Sequence, residues 1–176
     1  MLCVIAKIDS SARERLIRLH QIAERFGIPP RNVDGHITLA TYIGNDEDRF
    51  ISSCKAILAG YEKFSICFDK IEVFASSSVI VAVPRRENTM AAIQKEIAGH
   101  WAADLNEWTQ EHTWHAHTTL VNDPQADLCT TAELNVIAEA MQENLDPLVA
   151  QVDEIEFTRL CEDGFKRMDF VALRKK

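Results

Sequence analysis

The sequence has no apolar run close to the roughly 20 residues that a membrane-spanning helix needs, and it has no Cys-x-x-Cys pair. The first absence argues against a membrane span, so we expect no membrane partner. Five cysteines are present and widely spaced, namely Cys3, Cys54, Cys67, Cys129 and Cys161. An odd number of scattered cysteines is typical of reduced thiols in a cytoplasmic protein and disfavours a disulfide framework.

A basic leader and a small-residue cleavage site are also missing from the apolar start, MLCVIAKID. This stretch therefore predicts a first strand and not a signal peptide. Low-complexity tracts and evident flexible linkers are absent from the 176 residues, of which 47% are hydrophobic and 26% charged. The composition predicts one globular domain, residues 1–176, and we expect a monomer in the cytoplasm.

Positive charge is scarce: the sequence contains 19 Lys and Arg residues and 27 Asp and Glu residues, which gives a formal net charge of −8. A protein that grips long nucleic acid needs a basic face that contacts many phosphates, so we expect no DNA partner. A short nucleotide or an RNA end remains compatible with this charge, since one or two phosphates need only one small polar site.

Hydrophobic periodicity predicts strands and helices that alternate at first, after which strands follow one another directly. The predicted strands are 2–8, 36–43, 64–75, 78–84, 117–122, 148–158 and 167–173. Two helices are expected to begin with capping boxes, Ser11–Glu14 and Thr130–Glu133. The longest helix has an apolar stripe that reaches Trp108, and Glu162-Asp163-Gly164 turns the last hairpin. This order predicts an α+β fold with antiparallel pairing.

Two segments resemble each other closely enough to predict an internal repeat. FSICFDKIEVF, residues 64–74, aligns with LVAQVDEIEFT, residues 148–158, at an offset of 84 residues. In both segments the apolar alternation changes phase around the aligned aspartate. A change of phase within a strand predicts a β-bulge or bend, here at equivalent places in two strands. The aligned acidic residues are Asp69 with Asp153 and Glu72 with Glu156.

The repeat predicts two pseudo-symmetric lobes, approximately 1–84 and 85–176. VIVAV at 79–83 is similar to DFVAL at 169–173, so each half contains a helix, a strand, a helix and two further strands. The strand at 2–8 is then an extra element that could complete one of the sheets.

The phrase His-x-Thr-Leu occurs once in each half, beginning at His36 and at His117. Residues i and i+2 of a strand share a face, so His36 projects with Thr38 and His117 projects with Thr119. Imidazole titrates near neutrality, so one His can act as a base while the other acts as an acid. Threonine hydroxyls can donate hydrogen bonds to phosphate oxygens. Together these groups suit cleavage of a phosphodiester without a metal ion.

Other interpretations of these residues remain open. A single His on a strand is usually structural, and only the two matched copies favour catalysis. His115 and His117 share a strand face and could ligate zinc, although no carboxylate or Cys is spaced with them. Alternatively, His115 lies at the rim of the site and contacts substrate. The protein could also bind a nucleotide or RNA end without turning it over.

HITL and HTTL, each early in one half of a duplicated chain, resemble the 2H phosphoesterase superfamily, and most closely its 2'-5' RNA ligase-like and cyclic phosphodiesterase branch. The resemblance implies a bilobal α+β fold in which two antiparallel sheets flank a central cleft, with helices on the outside. It also implies hydrolysis of a 2',3'-cyclic phosphate, or of a related cyclic or 2'-5' linkage, at a nucleotide or RNA end. No metal or other cofactor is expected.

The resemblance also implies roles for particular residues. His36 and His117 match the catalytic pair, and Thr38 and Thr119 match the residues that bind the phosphoryl oxygens. The sequence departs from the ligase-like pattern after the first motif. Tyr42-Ile43-Gly44 stands one residue later than the Phe-Leu-Gly that often follows, and we expect Tyr42 to contact substrate.

Overall fold

The computed structural model describes residues 1–30, 33–74, 78–85, 88–122, 129–161 and 164–175. Its strands are β1 (Leu2–Ile8), β2 (His36–Tyr42), β3 (Phe64–Phe74), β4 (Val79–Pro84), β5 (Thr118–Asn122), β6 (Leu148–Cys161) and β7 (Gly164–Ala172). Its helices are α1 (Ser10–Glu24), α2 (Glu47–Leu58), α3 (Asn88–Trp101) and α4 (Thr131–Glu143). The predicted α+β class is therefore confirmed. Within these residues, no helix has the length and apolarity to cross a membrane.

Local capping explains where two of the helices begin. The Thr130–Glu133 capping box is confirmed, with both of its reciprocal hydrogen bonds present. The Ser11–Glu14 box is wrong, because the N-cap of α1 is Asp9, two residues before Ser11. The Asp9 side chain accepts a hydrogen bond from the Ala12 backbone N–H at 3.0 Å, which satisfies a donor that the first helical turn leaves unpaired.

The longest predicted helix also ends earlier than expected. α3 stops at Trp101 and is followed by two short 3₁₀ turns. Trp101 packs edge-on against Phe50 in the core, whereas the side chain of Trp108 is 70% exposed. The turn of the last hairpin was predicted at residues 162–164, and residues 162 and 163 lie outside the described part of the chain.

All seven strands belong to one antiparallel sheet, in the order β2-β1-β6-β3-β4-β5, with β7 paired to β6. The two separate sheets expected from the resemblance are joined where the first residues of β6 pair with the first residues of β3. The later part of β6 pairs instead with β1 and β7, and the later part of β3 pairs with β4. Each long strand therefore passes from the junction into one half of the sheet.

The register of this junction has local twofold symmetry. Phe64 pairs with Val152, and Phe68 pairs with Leu148, about a central pair formed by Ile66 and Ala150. The offset of 84 residues relates Phe64 to Leu148 and Phe68 to Val152, so equivalent residues exchange places across the junction. The ladder registers then shift at Asp69 and at Asp153. The two predicted bulges are thereby confirmed.

The sequence suggested that β4 and β7 are equivalent strands and that β1 is the extra strand, and the strand order contradicts both expectations. β1 lies between β2 and β6, and β4 lies between β5 and β3. β1 is therefore the structural counterpart of β4, and β7 is the one without a counterpart among the seven strands described. The boundary expected near residue 84 does not separate two sheets, because β4 pairs with β5 and β1 pairs with β6 across it. The last two strands of each half lie in the part of the sheet that contains the motif strand of the other half.

Candidate active site

The two His-x-Thr strands have the same pairing geometry. Thr38 lies opposite Ile5 of β1, and Thr119 lies opposite Val81 of β4. In both ladders the register shifts at the motif leucine, which is the extra residue of a β-bulge. The residues on the inward face are fully buried, namely Ile37, Leu39, Thr118 and Leu120. His36, Thr38, His117 and Thr119 are half-buried, on the opposite face.

A hydrogen bond joins the two motif segments, although β2 and β5 lie at the two ends of the sheet. The indole Nε1 of Trp114, three residues before His117, donates to the Thr38 carbonyl at 2.8 Å. Cα atoms of β2 and β5 approach within 8 Å of each other. On the far side, the ring of the buried His20 lies 2.9 Å from the Leu120 carbonyl at the second bulge. The two motif strands are therefore held side by side.

Tyr42 does not reach this face, contrary to the expectation that it contacts substrate. Its side chain is 3% exposed, its ring stacks on Phe50 at 4.3 Å, and its hydroxyl accepts a hydrogen bond from the Asp46 N–H. The bulge at Leu39 is the reason, since one extra residue reverses the alternation of the strand. Thr41 takes the face of Thr38, and Tyr42 turns into the core.

The His117 ring has a defined tautomer. Its Nδ1 lies 2.7 Å from the His115 carbonyl, which can only accept, so Nδ1 carries the proton and the neutral ring has its lone pair on Nε2. Burial lowers the pKa of His117 below its usual value; the hydrogen bond to the His115 carbonyl opposes this shift, and the nearby His115 ring adds to it. A neutral His117 with a lone pair on Nε2 is equipped to accept a proton.

His115 lies at the rim of the site, beside His117. Its Nε2 is 3.3 Å from a carboxylate oxygen of Glu72, and its ring packs edge-on against Phe74. Glu72 also pairs with Lys70 at 2.5 Å, and the pKa of Glu72 is lowered by that hydrogen bond and by the positive charges around it. The carboxylate of Glu72 is therefore ionised and fixes the His115 ring.

A glutamate occupies the matching position on the His36 side. Glu156 lies opposite Ile5, just as Glu72 lies opposite Val81, so each glutamate shares a row and a face with a motif threonine. The Glu156 side chain is 3% exposed and pairs with Lys7 at 3.4 Å and with Arg167 at 3.0 Å. The alignment of Glu72 with Glu156 was the sequence signal for this pair, but their place beside the motifs depends on the strand order.

Phenylalanine rings flank the two motif histidines. Phe165 of β7 packs edge-on against His36 at a centroid distance of 4.8 Å. Phe74 of β3 packs against His117 at 5.0 Å. No local sequence pattern identified these residues, because Phe165 reaches His36 through a hairpin strand more than 120 residues away in the chain.

A zinc site at His115 and His117 would need further ligands close to these two side chains. Across the described residues, no three His, Cys, Asp or Glu side chains are grouped to hold one metal ion. Nδ1 of His117 is engaged by a carbonyl, and Nε2 of His115 is next to Glu72. The arrangement offers two imidazoles and two hydroxyls for acid–base chemistry and hydrogen bonding.

A sequence model described as the 2'-5' RNA ligase superfamily matches residues 8–164. No protein of curated function matches the sequence. Among solved structures, Escherichia coli LigT complexed with NADP+ is 16% identical at a TM-score of 0.65, over 99% of this chain and 97% of that chain. TT0787 of Thermus thermophilus is 16% identical at a TM-score of 0.66, over 99% and 98% of the two chains. A crystal structure described as a phosphoesterase is 14% identical at a TM-score of 0.66, with the same coverage.

Proposed function

The chain belongs to the 2'-5' RNA ligase superfamily, and from that premise we propose that it is a phosphoric diester hydrolase. Its substrate is a 2',3'-cyclic phosphate, or a related cyclic or 2'-5' phosphodiester, of a nucleotide or RNA end. Catalysis uses His36 and His117 and requires no metal ion. The family match confirms the resemblance to the 2H phosphoesterases on which the proposal builds.

One observation carries the proposal. Two His-x-Thr motifs stand on two strands with the same register, the same bulge and the same burial pattern, and Trp114 ties the segment before one motif to the other. The internal repeat accounts for the shared register and bulge, but a structural role does not require a His and a Thr on the half-buried face of both strands. An acid–base pair acting on one phosphate does, because the two groups must approach it from opposite sides.

The hydrogen bond between His117 Nδ1 and the His115 carbonyl supports one division of roles. His117 is the base, since its Nε2 bears the lone pair, and it takes a proton from the attacking water. The water oxygen bonds to phosphorus, and the bond from phosphorus to one ribose oxygen breaks. His36, in its protonated form, gives its proton to that leaving oxygen. The product is a phosphomonoester with one free ribose hydroxyl.

The two threonines act on the phosphoryl oxygens. Thr38 and Thr119 lie two residues beyond the histidines on the same face, so their hydroxyls can donate to the non-bridging oxygens as negative charge builds up on them. Donors held by strand backbone need little reorganisation during the reaction. Their contribution is therefore greatest in the transition state.

The nucleotide nature of the substrate draws support from the structural relatives. LigT has been crystallised with NADP+, ATP and 3'-AMP, at 14–18% identity to this chain. We transfer only the common feature of these ligands, which is a nucleoside bearing phosphate. The acidic net charge of −8 fits a small nucleotide or a terminus better than a long strand.

The purified protein, treated with a chelator, is expected to open adenosine 2',3'-cyclic phosphate. Formation of the monoester can be followed by chromatography. Tight binding without turnover would support a non-catalytic binding protein instead. Loss of activity with the chelator and its recovery with stoichiometric zinc would establish the zinc hydrolase and overturn the present mechanism.

The pH profile tests the role of His117. Below its pKa the ring is protonated and cannot act as a base, so kcat/KM falls as the pH drops through that value. Because burial lowers the pKa of His117, the midpoint of this acidic limb is expected below about 6.5, the ordinary value for histidine. His115→Gln should raise the midpoint, since the His115 charge acts to lower that pKa. A midpoint above the ordinary value in the parent protein would contradict the assignment.

A further inference from the structure

A cavity of about 160 Å³ opens beside His36, between β1, β6 and β7. Its walls include Lys7, Glu156, Thr158, Phe165 and Arg167. Sites for whole small molecules span roughly 300–1,000 Å³, so this volume suits one part of a larger ligand. The neighbouring part of that ligand then lies at His36, where the reacting phosphate is proposed to bind.

Thr158 marks the cavity as a place for a hydrogen-bonding ligand. The residue is 1% exposed and contributes to the cavity wall. Within the part of the chain that the structure describes, its Oγ1 is a buried side-chain oxygen that makes no hydrogen bond. An unpaired hydroxyl of this kind is rare because it costs free energy, and a ligand atom in the cavity would satisfy it.

The charges around the cavity favour a neutral polar group over a second phosphate. Lys7 and Arg167 both pair with the buried carboxylate of Glu156. Arg167 also contacts Glu154 at 3.3 Å, and Asp34 lines the cavity as a further acidic residue. The two cations are therefore outnumbered by carboxylates. Phe165 stands beside His36, and the Arg167 guanidinium stacks on Phe170 at 4.1 Å.

The His117 side of the site differs at the equivalent position. An offset of 84 residues relates Thr158 to Phe74, whose ring packs against His115 and His117. An aromatic ring thus stands where the other side has a small hydroxyl. Among the described strands, none on the His117 side corresponds to β7, which supplies Phe165 and Arg167. The pseudo-symmetric site is therefore asymmetric in the space beside its two histidines.

We propose that this cavity binds the nucleoside of the substrate, with the Thr158 hydroxyl bonded to a polar edge of the sugar or base and Phe165 forming the apolar wall. The inference rests on the proposed function, which places the phosphate between the motifs. It also orients the substrate, because the ribose oxygen that leaves then lies on the His36 side. That orientation agrees with the acid role given to His36 from the independent geometry of His117.

Thr158→Val tests the inference, because it removes the hydroxyl and keeps the shape of the side chain. The probes are adenosine 2',3'-cyclic phosphate and glycerol 1,2-cyclic phosphate, which has the cyclic phosphate but no nucleoside. The ratio of kcat/KM for the adenosine probe to that for the glycerol probe is expected to fall about threefold to tenfold, as for one lost hydrogen bond. Thr158→Ser keeps the hydroxyl and should restore the ratio.

Thermal unfolding separates binding from a structural role. Among the residues that the structure describes, nothing bonds the Thr158 hydroxyl, so Thr158→Val should not lower Tm. The inference is overturned if Thr158→Val leaves the kcat/KM ratio of the two probes unchanged, which includes an equal loss on both. A fall of that ratio in Phe74→Leu instead would place the nucleoside beside His117. If the parent protein opens neither probe, the proposed function fails. The nucleoside site can then still be tested by measuring the affinity of the protein for 3'-AMP. Calorimetry should show threefold to tenfold weaker binding to Thr158→Val, and equal affinities would reject the nucleoside site.

Discussion

His36→Ala and His117→Ala are each expected to lower kcat for a nucleoside 2',3'-cyclic phosphate by about 10²- to 10⁴-fold, the usual contribution of a positioned acid or base. Both losses arise in the chemical step, so KM should change far less than kcat. The double variant should lose little more than either single variant, because the two groups act together on one phosphate. Steady-state kinetics with the monoester product quantified will give all three values.

The two variants should differ when the leaving group needs no proton. p-Nitrophenolate departs unprotonated, so bis(p-nitrophenyl) phosphate bypasses the acid but still requires an activated water. His36→Ala should therefore recover most of its activity on this diester, whereas His117→Ala should remain inactive. The comparison depends on the Nδ1 proton of His117 bonding the His115 carbonyl, which directs the lone pair to Nε2.

His100→Ala is the matched control for both variants. His100 is exposed on α3, and its Nδ1 lies 2.8 Å from the Glu96 carbonyl of the preceding turn, so its removal should leave kcat unchanged. Recovery of His117→Ala, and not of His36→Ala, on the activated diester would reverse the two roles. Full activity of either alanine variant on the cyclic phosphate would eliminate the acid–base pair.

Features that depend on neighbouring residues were predictable from the sequence. The bulges at Asp69 and Asp153 were visible because Phe64, Ile66 and Phe68 keep one phase and Ile71 takes the other. Burial of alternate residues forces that pattern on a strand with one covered face. The same rule separates the half-buried His36 and Thr38 from the buried Ile37. The local alternation of apolar residues therefore predicts both the position of the bends and the face on which each motif lies.

Strand order depends on long-range pairing, and the sequence holds little information about it. VIVAV at 79–83 resembles DFVAL at 169–173, which suggested that these strands are equivalent. The structure pairs β4 with a motif strand, whereas β7 pairs with β6, which carries no His-x-Thr motif. Both segments are apolar runs that satisfy a half-buried strand equally well, so their likeness reflects strand formation and not position. The residues of β7 that flank His36 could not be found for this reason.

The bulge at Leu39 could not be predicted either, and it determines where Tyr42 lies. Residues 36–43, HITLATYI, are apolar or β-branched on both faces at their end, so no change of phase is visible. With a regular alternation, Tyr42 would share a face with His36 and Thr38. The extra residue sends it to the face of Val4 and Leu2, where the ladder pairs it with Leu2. The opposing predictions for this side chain make it a direct test of the bulge.

Tyr42→Ala is expected to destabilise the fold by about 3–5 kcal/mol, the usual cost of removing a buried aromatic ring. The ring stacks on Phe50 and meets Trp101 edge-on at 5.7 Å, and a Cβ added at Gly44 would collide with its hydroxyl. Such a tightly packed site cannot close over the space that is left. For a chain of this length the loss corresponds to a fall in Tm of about 10 °C, measurable by calorimetry.

Tyr42→Phe separates packing from substrate binding. It keeps the ring and removes only the hydroxyl that accepts from the Asp46 N–H at 3.0 Å, so a loss of about 1 kcal/mol is expected. Its KM for the cyclic phosphate should equal that of the parent protein, because the hydroxyl lies on the core side of β2. A raised KM with an unchanged Tm would instead place Tyr42 in the cleft and contradict the bulge at Leu39.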